Sequence, residues 1–336
     1  MSTLVVASTS PGAGKTAISC WIASRVAEHG RTPAVGRAFT RSGSAASAFD
    51  RDALPPAKLI HGAVAVEPTT LQSSIPQVAE VAAAARSILG LADRANPIVV
   101  EGQTGAPELN RRLAEELDAQ ILLVSGWGDD PIPVARTLGR RLVGVVVGGL
   151  PRYRQHTLDT KFRPAVEAAG IEYLGAVPDD RRLLAVTVGD VAAHLGGEFV
   201  LGREKSADLI DYFLVGGNVW DWGVHYFSVR ENAAAVIRGD RPDMQMAALA
   251  TPIKALVLTA GQPPVPIQYV QYEAEQEGVP LIVVPHDTHR TSALLETIQD
   301  RARFDHPGKM ARMRELADSA INFGAIEAAL AQPVTR

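Results

Sequence analysis

The sequence predicts an α/β fold: a parallel sheet with helices on both faces, followed by a second, smaller α/β unit. Three observations predict it. Short apolar runs alternate with helical stretches through the first half of the chain. Several runs are apolar throughout, such as Leu142-Val143-Gly144-Val145-Val146-Val147, as expected for strands covered on both faces. A glycine-rich turn, Thr9-Ser10-Pro11-Gly12-Ala13-Gly14-Lys15-Thr16, joins the first apolar run to the first helical stretch.

Taken in order, the strands expected in the first half are Leu4–Ser8, Ala34–Ala38, Ile98–Glu101, Ile121–Ser125, Val143–Val147 and Tyr173–Ala176. The helices between them are Ala17–Glu28, Val78–Leu89, Glu108–Leu117, Pro133–Arg140 and Phe162–Ala169. Residues 40–75 are rich in Ser, Ala and Pro and read as a long loop over the phosphate-binding turn, either without secondary structure or with a short helix in it. A short helix over Thr187–Leu195 marks the transition. The second unit has expected strands Ala234–Arg238, Ala255–Thr259 and Leu281–Pro285. Its expected helices are Ala207–Leu214, Trp220–Phe227, Asp243–Ala250, Pro266–Gln276 and Ser292–Ile298. Helical stretches Lys309–Leu316 and Ala325–Leu330 form the tail. The expected domains are therefore 1–185, 186–302 and a helical tail, 303–336.

Composition bounds the function. The chain has 336 residues, 46% hydrophobic and 21% charged, enough for a sizeable core in two domains. A net charge of −4 gives no global attraction for nucleic acid or an anionic membrane. No apolar run approaches the length of a membrane span. The N-terminus opens into a strand with no basic and apolar leader, so no signal peptide is expected. Cys20 is the single cysteine, which excludes an intrachain disulfide, and it reads as a small core residue. A cytoplasmic location with no nucleic-acid or membrane partner follows as the expectation.

The glycine-rich turn carries the chemistry. Strand, Gly-rich loop, Lys-Thr and helix form a phosphate-binding P-loop, or Walker A motif. Gly12 and Gly14 let the backbone wrap an anion, and the helix that follows offers its positive end. Lys15 would reach the β- and γ-phosphates as the catalytic cation, and the Thr16 hydroxyl would bind Mg²⁺. The expected nucleotide contacts are Thr9, Ser10, Pro11, Gly12, Ala13, Gly14, Lys15, Thr16 and Ala17. The expected cofactors are ATP and Mg²⁺. Thr9 stands where the motif usually begins with Gly. The plainer alternative is a Gly-rich turn capping an ordinary helix.

Glu101 ends an apolar strand, and a buried carboxylate is costly unless paired or bound to metal. It is the expected second Mg²⁺ group; the alternative is a structural carboxylate capping the Gly-Gln-Thr-Gly turn after it. Asp50 and Asp52 are either a further carboxylate or solvated loop charges. Asp240, Arg241, Thr259, Gly261, His286, Asp287 and Thr288 follow expected strand ends. Such loops converge in open α/β sheets, giving a candidate small-molecule effector site. Turn and N-cap chemistry explains the same residues equally well. His286 and His289 flank Asp287, but no third metal ligand lies nearby. Trp220 and Trp222 read as helix or interface packing.

Three segments carry a family resemblance: Ser8-Thr9-Ser10-Pro11-Gly12-Ala13-Gly14-Lys15-Thr16, Pro97-Ile98-Val99-Val100-Glu101-Gly102, and Leu174-Gly175-Ala176-Val177-Pro178-Asp179-Asp180-Arg181. Together they resemble the P-loop domain of dethiobiotin synthetase and the cobyrinic acid a,c-diamide synthases. Arg238-Gly239-Asp240-Arg241-Pro242-Asp243, with Leu256-Val257-Leu258-Thr259 and His286-Asp287-Thr288, resembles the DRTGG domain. Of its five name-giving letters, only Asp240-Arg241 survive. The pairing is similar to the regulatory N-terminal half of long-form phosphate acetyltransferases and to phosphotransacetylase-like proteins. Two departures stand out. The second strand leads into Gly36-Arg37-Ala38-Phe39-Thr40-Arg41, without the family's Lys-Pro pair. Arg37 or Arg41 would have to supply the positive charge instead. Gly148-Gly149-Leu150-Pro151 lacks the Asn that helps read the base.

The resemblance implies nucleotide-dependent sensing, with a small effector or protein partner on the second domain and at most weak NTP hydrolysis. The alternative is an ATP-dependent carbon–nitrogen ligase or amide synthase. A degenerate scaffold is a third reading, against which the intact Gly14-Lys15-Thr16 speaks. A homodimer or larger assembly is expected. No phosphate acetyltransferase activity is expected of this stretch by itself.

Overall fold

The structure, a computed structural model, describes residues 2–41, 56–71, 78–216, 222–259 and 267–331. It divides into two compact units: Met1–Asp180 together with Phe304–Arg336, and Arg181–Arg303. The chain from Phe304 onward thus belongs by contact to the first unit rather than standing as a separate tail.

Among the described residues the first unit has nine strands: β1 (Thr3–Ser8), β2 (Ala34–Arg37), β3 (Phe39–Arg41), β4 (Val64–Val66), β5 (Thr69–Leu71), β6 (Ile98–Glu101), β7 (Gln120–Gly126), β8 (Leu142–Leu150) and β9 (Tyr173–Pro178). Seven form one parallel sheet in the order β4-β2-β6-β1-β7-β8-β9. β3 and β5 form a separate two-stranded ladder, so ordered strands occur within the 40–75 stretch read as loop. All six residues of β1 are buried, which is why its sequence shows no alternation.

Among the described residues before Asp180, the helices of this unit include α1 (Lys15–Glu28), α2 (Val78–Leu89), α3 (Pro107–Glu116), α4 (Ile132–Leu138), α5 (Gln155–Thr157) and α6 (Arg163–Ala168). α1 has no internal Gly or Pro, and it buries Ile18, Trp21 and Ile22. β1 lies between β6 and β7, so the strand order reverses direction there. A crevice is expected outside the carboxyl end of β1, where α1 begins.

The second unit has β10 (Val186–Thr187), β11 (Glu198–Leu201), β12 (Leu209–Ile210), β13 (Tyr212–Gly216), β14 (Ala233–Arg238), β15 (Ala255–Thr259) and β16 (Leu281–Val283). Five form a sheet in the order β11-β16-β15-β14-β13, parallel except for the edge strand β11. Helices α7 (Val188–Leu195) and α11 (Thr288–Leu295) cover one face. Helices α8 (Gly223–Phe227), α9 (Pro242–Leu249) and α10 (Gln268–Gln276) cover the other. The helix expected over Ala207–Leu214 is instead β12 and β13. Tyr212-Phe213-Leu214-Val215 is an aromatic and β-branched run, and parallel pairing with Ala233–Ile237 decides its state.

The chain then returns to the first unit through α12 (Pro307–Ala317) and α13 (Phe323–Ala331). Trp21 Nε1 donates to Asp318 at 2.7 Å, and Phe323 meets the indole edge-on at 5.6 Å. Arg25 lies 5.5 Å over the Phe323 ring. The Asn322 N–H donates to the Leu174 carbonyl at 2.7 Å beside β9. Among the described residues, no helix is long and apolar enough to cross a membrane.

Candidate functional site

β1 ends at Ser8, and the turn Thr9–Gly14 delivers the chain into α1. Gly14, at φ 93°, caps the helix from the left-handed region, and Gly12 lies at φ 76°. Side chains with a Cβ rarely adopt these angles, so the two glycines are what lets this loop close. Lys15 Nζ donates to the Gly102 carbonyl at 2.6 Å and the Thr104 hydroxyl at 3.0 Å. Thr16 Oγ1 donates to Glu101 Oε2 at 2.9 Å. The two residues of the Gly-Lys-Thr signature thus meet the end of β6 directly. Parallel pairing of β1 with β6 brings them there.

Glu101 is 1% exposed, and among the described residues its Oε1 has no hydrogen-bond partner. Arg37 Nε lies 3.8 Å from its Oε2. A buried carboxylate oxygen without a donor, beside a threonine hydroxyl and at the mouth of an anion-wrapping loop, suits a hard divalent cation. The chemistry of the donor set therefore fits Mg²⁺. Arg37, at the end of β2, brings a cation to the same carboxylate.

Two structural partners escaped the sequence reading. Asn110, 1% exposed, accepts from the Gln103 N–H at 2.8 Å and donates to the Gln103 carbonyl at 2.7 Å. That clasp fixes the turn presenting Gly102 and Thr104 to Lys15. Asp129, after β7, accepts hydrogen bonds from both Thr9 and Ser10. The visible signal was Gly126-Trp127-Gly128-Asp129, a turn bracketed by glycines at a strand end. Cys20 is fully buried in α1, and burial, reinforced by the nearby charge of Glu101, pushes its thiol well above the ordinary value. Asp50 and Asp52 lie outside the described residues.

In the second unit the candidate effector residues share the carboxyl edge of β14–β16 but separate into small groups. Thr259, fully buried, and Thr288 bond hydroxyl to hydroxyl at 2.7 Å. The Gly239 N–H donates to the Thr259 carbonyl at 2.7 Å. Asp240 pairs with Arg238, and Arg241 pairs with Asp243 at 2.8 Å. Asp287 caps α11 by accepting from the Arg290 N–H at 2.7 Å. His286 is half-buried. Gln245, fully buried in α9, donates to the Arg238 and Gly239 carbonyls at 2.8 and 3.2 Å. Among the described residues, no group of three acidic, His or Cys side chains could hold a metal, so His286 and His289 gain no third ligand. Gly261 and Trp220 lie outside the described residues. Trp222 is 66% exposed.

Residues 190–298, within this unit, match the family model described as the DRTGG domain. The second unit contains a DRTGG domain. The chain therefore joins a P-loop α/β domain to a DRTGG domain. Two phosphate acetyltransferases are among its curated relatives. That of Deinococcus radiodurans is 28% identical over 230 residues, covering 62% of this chain and 32% of its own length. That of a Synechocystis species is 24% identical over 236 residues, covering 62% and 33%. This chain thus spans about a third of the length of these relatives. Among solved structures, the CBS and DRTGG regulatory region of Clostridium perfringens pyrophosphatase, complexed with diadenosine tetraphosphate, is 20% identical. The match covers 38% of this chain and 53% of that one, with a TM-score of 0.31. The MinC:MinD cell division complex of Aquifex aeolicus is 14% identical, covering 55% and 84%, with a TM-score of 0.39.

Proposed function

We propose that this protein is a nucleotide-dependent regulator, binding ATP·Mg²⁺ at Gly12–Thr16 and a small effector or protein partner on its DRTGG domain. The observation that carries the reading is the meeting of Lys15, Thr16 and the buried Glu101 at the end of β1. The backbone of Thr9–Gly14 and the start of α1 supply N–H groups for the phosphates. Lys15 adds a point charge for the β- and γ-phosphates. Thr16 and Glu101 would hold Mg²⁺, which supplies charge neutralisation when bound. Hydrolysis, where it occurs, is slow. Acetyl transfer to phosphate is not assigned to this stretch, which corresponds to a third of the phosphate acetyltransferases it resembles.

On the DRTGG domain, the reading places an effector at the carboxyl edge near Asp240, Arg241, Thr259, His286, Asp287 and Thr288. The protein is read as a cytoplasmic homodimer or larger assembly, without nucleic-acid or membrane partners. A thermal-shift screen across nucleotides and central metabolites tests both halves. ATP·Mg²⁺ should raise the midpoint in wild type and not in Lys15→Ala. A set of nucleotides and metabolites that leaves the midpoint unmoved would contradict the reading.

A further inference from the structure

Asp129 has no role in the reading above, yet the fold goes to some length to place it. Thr9 Oγ1 and Ser10 Oγ both donate to its Oδ2, at 2.5 and 2.6 Å. The Thr9 hydroxyl in turn accepts from the Gly126 N–H at 3.1 Å. The Asp129 N–H donates to the Gly126 carbonyl at 3.1 Å, which closes the turn. A Cβ at Gly126 would stand 2.8 Å from Ser10 Oγ and 2.9 Å from Asp129 Oδ2. The absence of a side chain there is what admits the carboxylate to the loop.

A carboxylate at this position opposes the apparent purpose of the loop. It adds negative charge within one hydroxyl of a site built from N–H groups and a lysine, where phosphate would be repelled. Its position is nonetheless over-determined by three hydrogen bonds and a close approach. Both loop hydroxyls bind Oδ2. Among the described residues none bonds Oδ1, and the residue is half-buried, so water reaches it. A carboxylate oxygen with spare lone pairs, fixed beside the loop that would hold phosphate and open to water, has the attributes of a general base.

Resting on the P-loop reading, we propose that Asp129 is the catalytic base of a slow nucleotide hydrolysis at this loop. A water oxygen bonds to the terminal phosphorus as the bridging P–O bond breaks. The electron pair of that bond leaves on the nucleoside diphosphate. The proton of the attacking water passes to Asp129 Oδ1 and is later released to solvent. Thr9 and Ser10 act as positioning residues that hold the carboxylate by its other oxygen.

The test compares wild type with Asp129→Asn, which keeps an oxygen for the two hydroxyls but cannot take the proton. Phosphate release from ATP·Mg²⁺ should fall by about 100-fold or more. Calorimetric affinities for ATP and ADP should not fall, since the variant removes a charge that repels phosphate, and the tight complex of ADP with aluminium fluoride should be lost. Ser10→Ala, which removes one anchor, should cost about tenfold in release and serves if the first variant does not fold. Release unchanged in either variant overturns the proposal. So does a wild type that binds ATP and releases no phosphate, and that outcome leaves the nucleotide-binding reading intact. A wild type that binds neither ATP nor ADP overturns both.

Discussion

At the scale of single residues, the site is a set of short distances around one buried carboxylate. Glu101→Gln preserves shape and hydrogen-bonding capacity but removes the charge. ATP affinity measured with Mg²⁺ should fall by about tenfold or more, and affinity measured in EDTA should hardly change. An equal loss under both conditions would make Glu101 structural. Gly148 tests the wall of the loop, because a Cβ there would sit 2.0 Å from the Ala13 carbonyl oxygen. Backbone cannot yield as a side-chain tip does, so Gly148→Ala should destabilise the protein by about 1–3 kcal/mol in urea unfolding. It should also weaken nucleotide binding.

Cys20 makes a prediction in pH. Its folded thiol lies above the ordinary value because of burial first and Glu101 second. The folded state therefore keeps the proton where the unfolded thiol has lost it. Cys20's contribution to stability is complete below the ordinary thiol range and declines as pH rises through it toward the folded value. Thiol labelling at pH 8 should be slow in the native protein and immediate on denaturation. Fast native labelling would contradict the burial. The chemistry of Thr9–Thr16 and Glu101 was legible because motif spacing fixes it locally. Asp129 was not, since its partners lie 119 and 120 residues away and only the pairing of β1 with β7 joins them.

At the scale of elements, the parallel strands were legible because burial on both faces leaves an unbroken apolar run. Short edge pieces were not. Val64–Val66 and Glu198–Leu201 are too brief to show a period, and pairing alone makes them strands. Ala207–Leu214, expected as a helix, holds strands instead, because its apolar spacing over a few residues fits either period. The tail helices were legible as helices, but their destination was not. Trp21, Arg25 and Asp318 reveal it only when brought together. α13 buries Ile326 completely, so Ile326→Ala should cost about 2–4 kcal/mol by the cavity it leaves. A change under about 0.5 kcal/mol in urea unfolding would show that α13 does not stabilise the first unit.

At the scale of the whole molecule, the DRTGG-containing unit lies in the chain between two parts of the P-loop unit, which closes only when Phe304 and the residues after it return. Both junctions, at Asp180–Arg181 and Arg303–Phe304, therefore join the second unit to residues of the first. Self-association belongs to this scale as well. Light scattering at micromolar concentration should give at least twice the chain mass of 35.7 kDa. A monomer across that range would count against the assembly.

The central claim is nucleotide binding at Gly12–Thr16, and titration calorimetry with ATP·Mg²⁺ tests it most directly. Wild type should bind one nucleotide per chain. At about 100 times the dissociation constant, the fold should gain roughly 2.7 kcal/mol. Lys15→Ala, folded to the same extent by circular dichroism, should lose most of the heat and the stabilisation. No heat from wild type at millimolar ATP or GTP, or full binding by Lys15→Ala, would contradict the account.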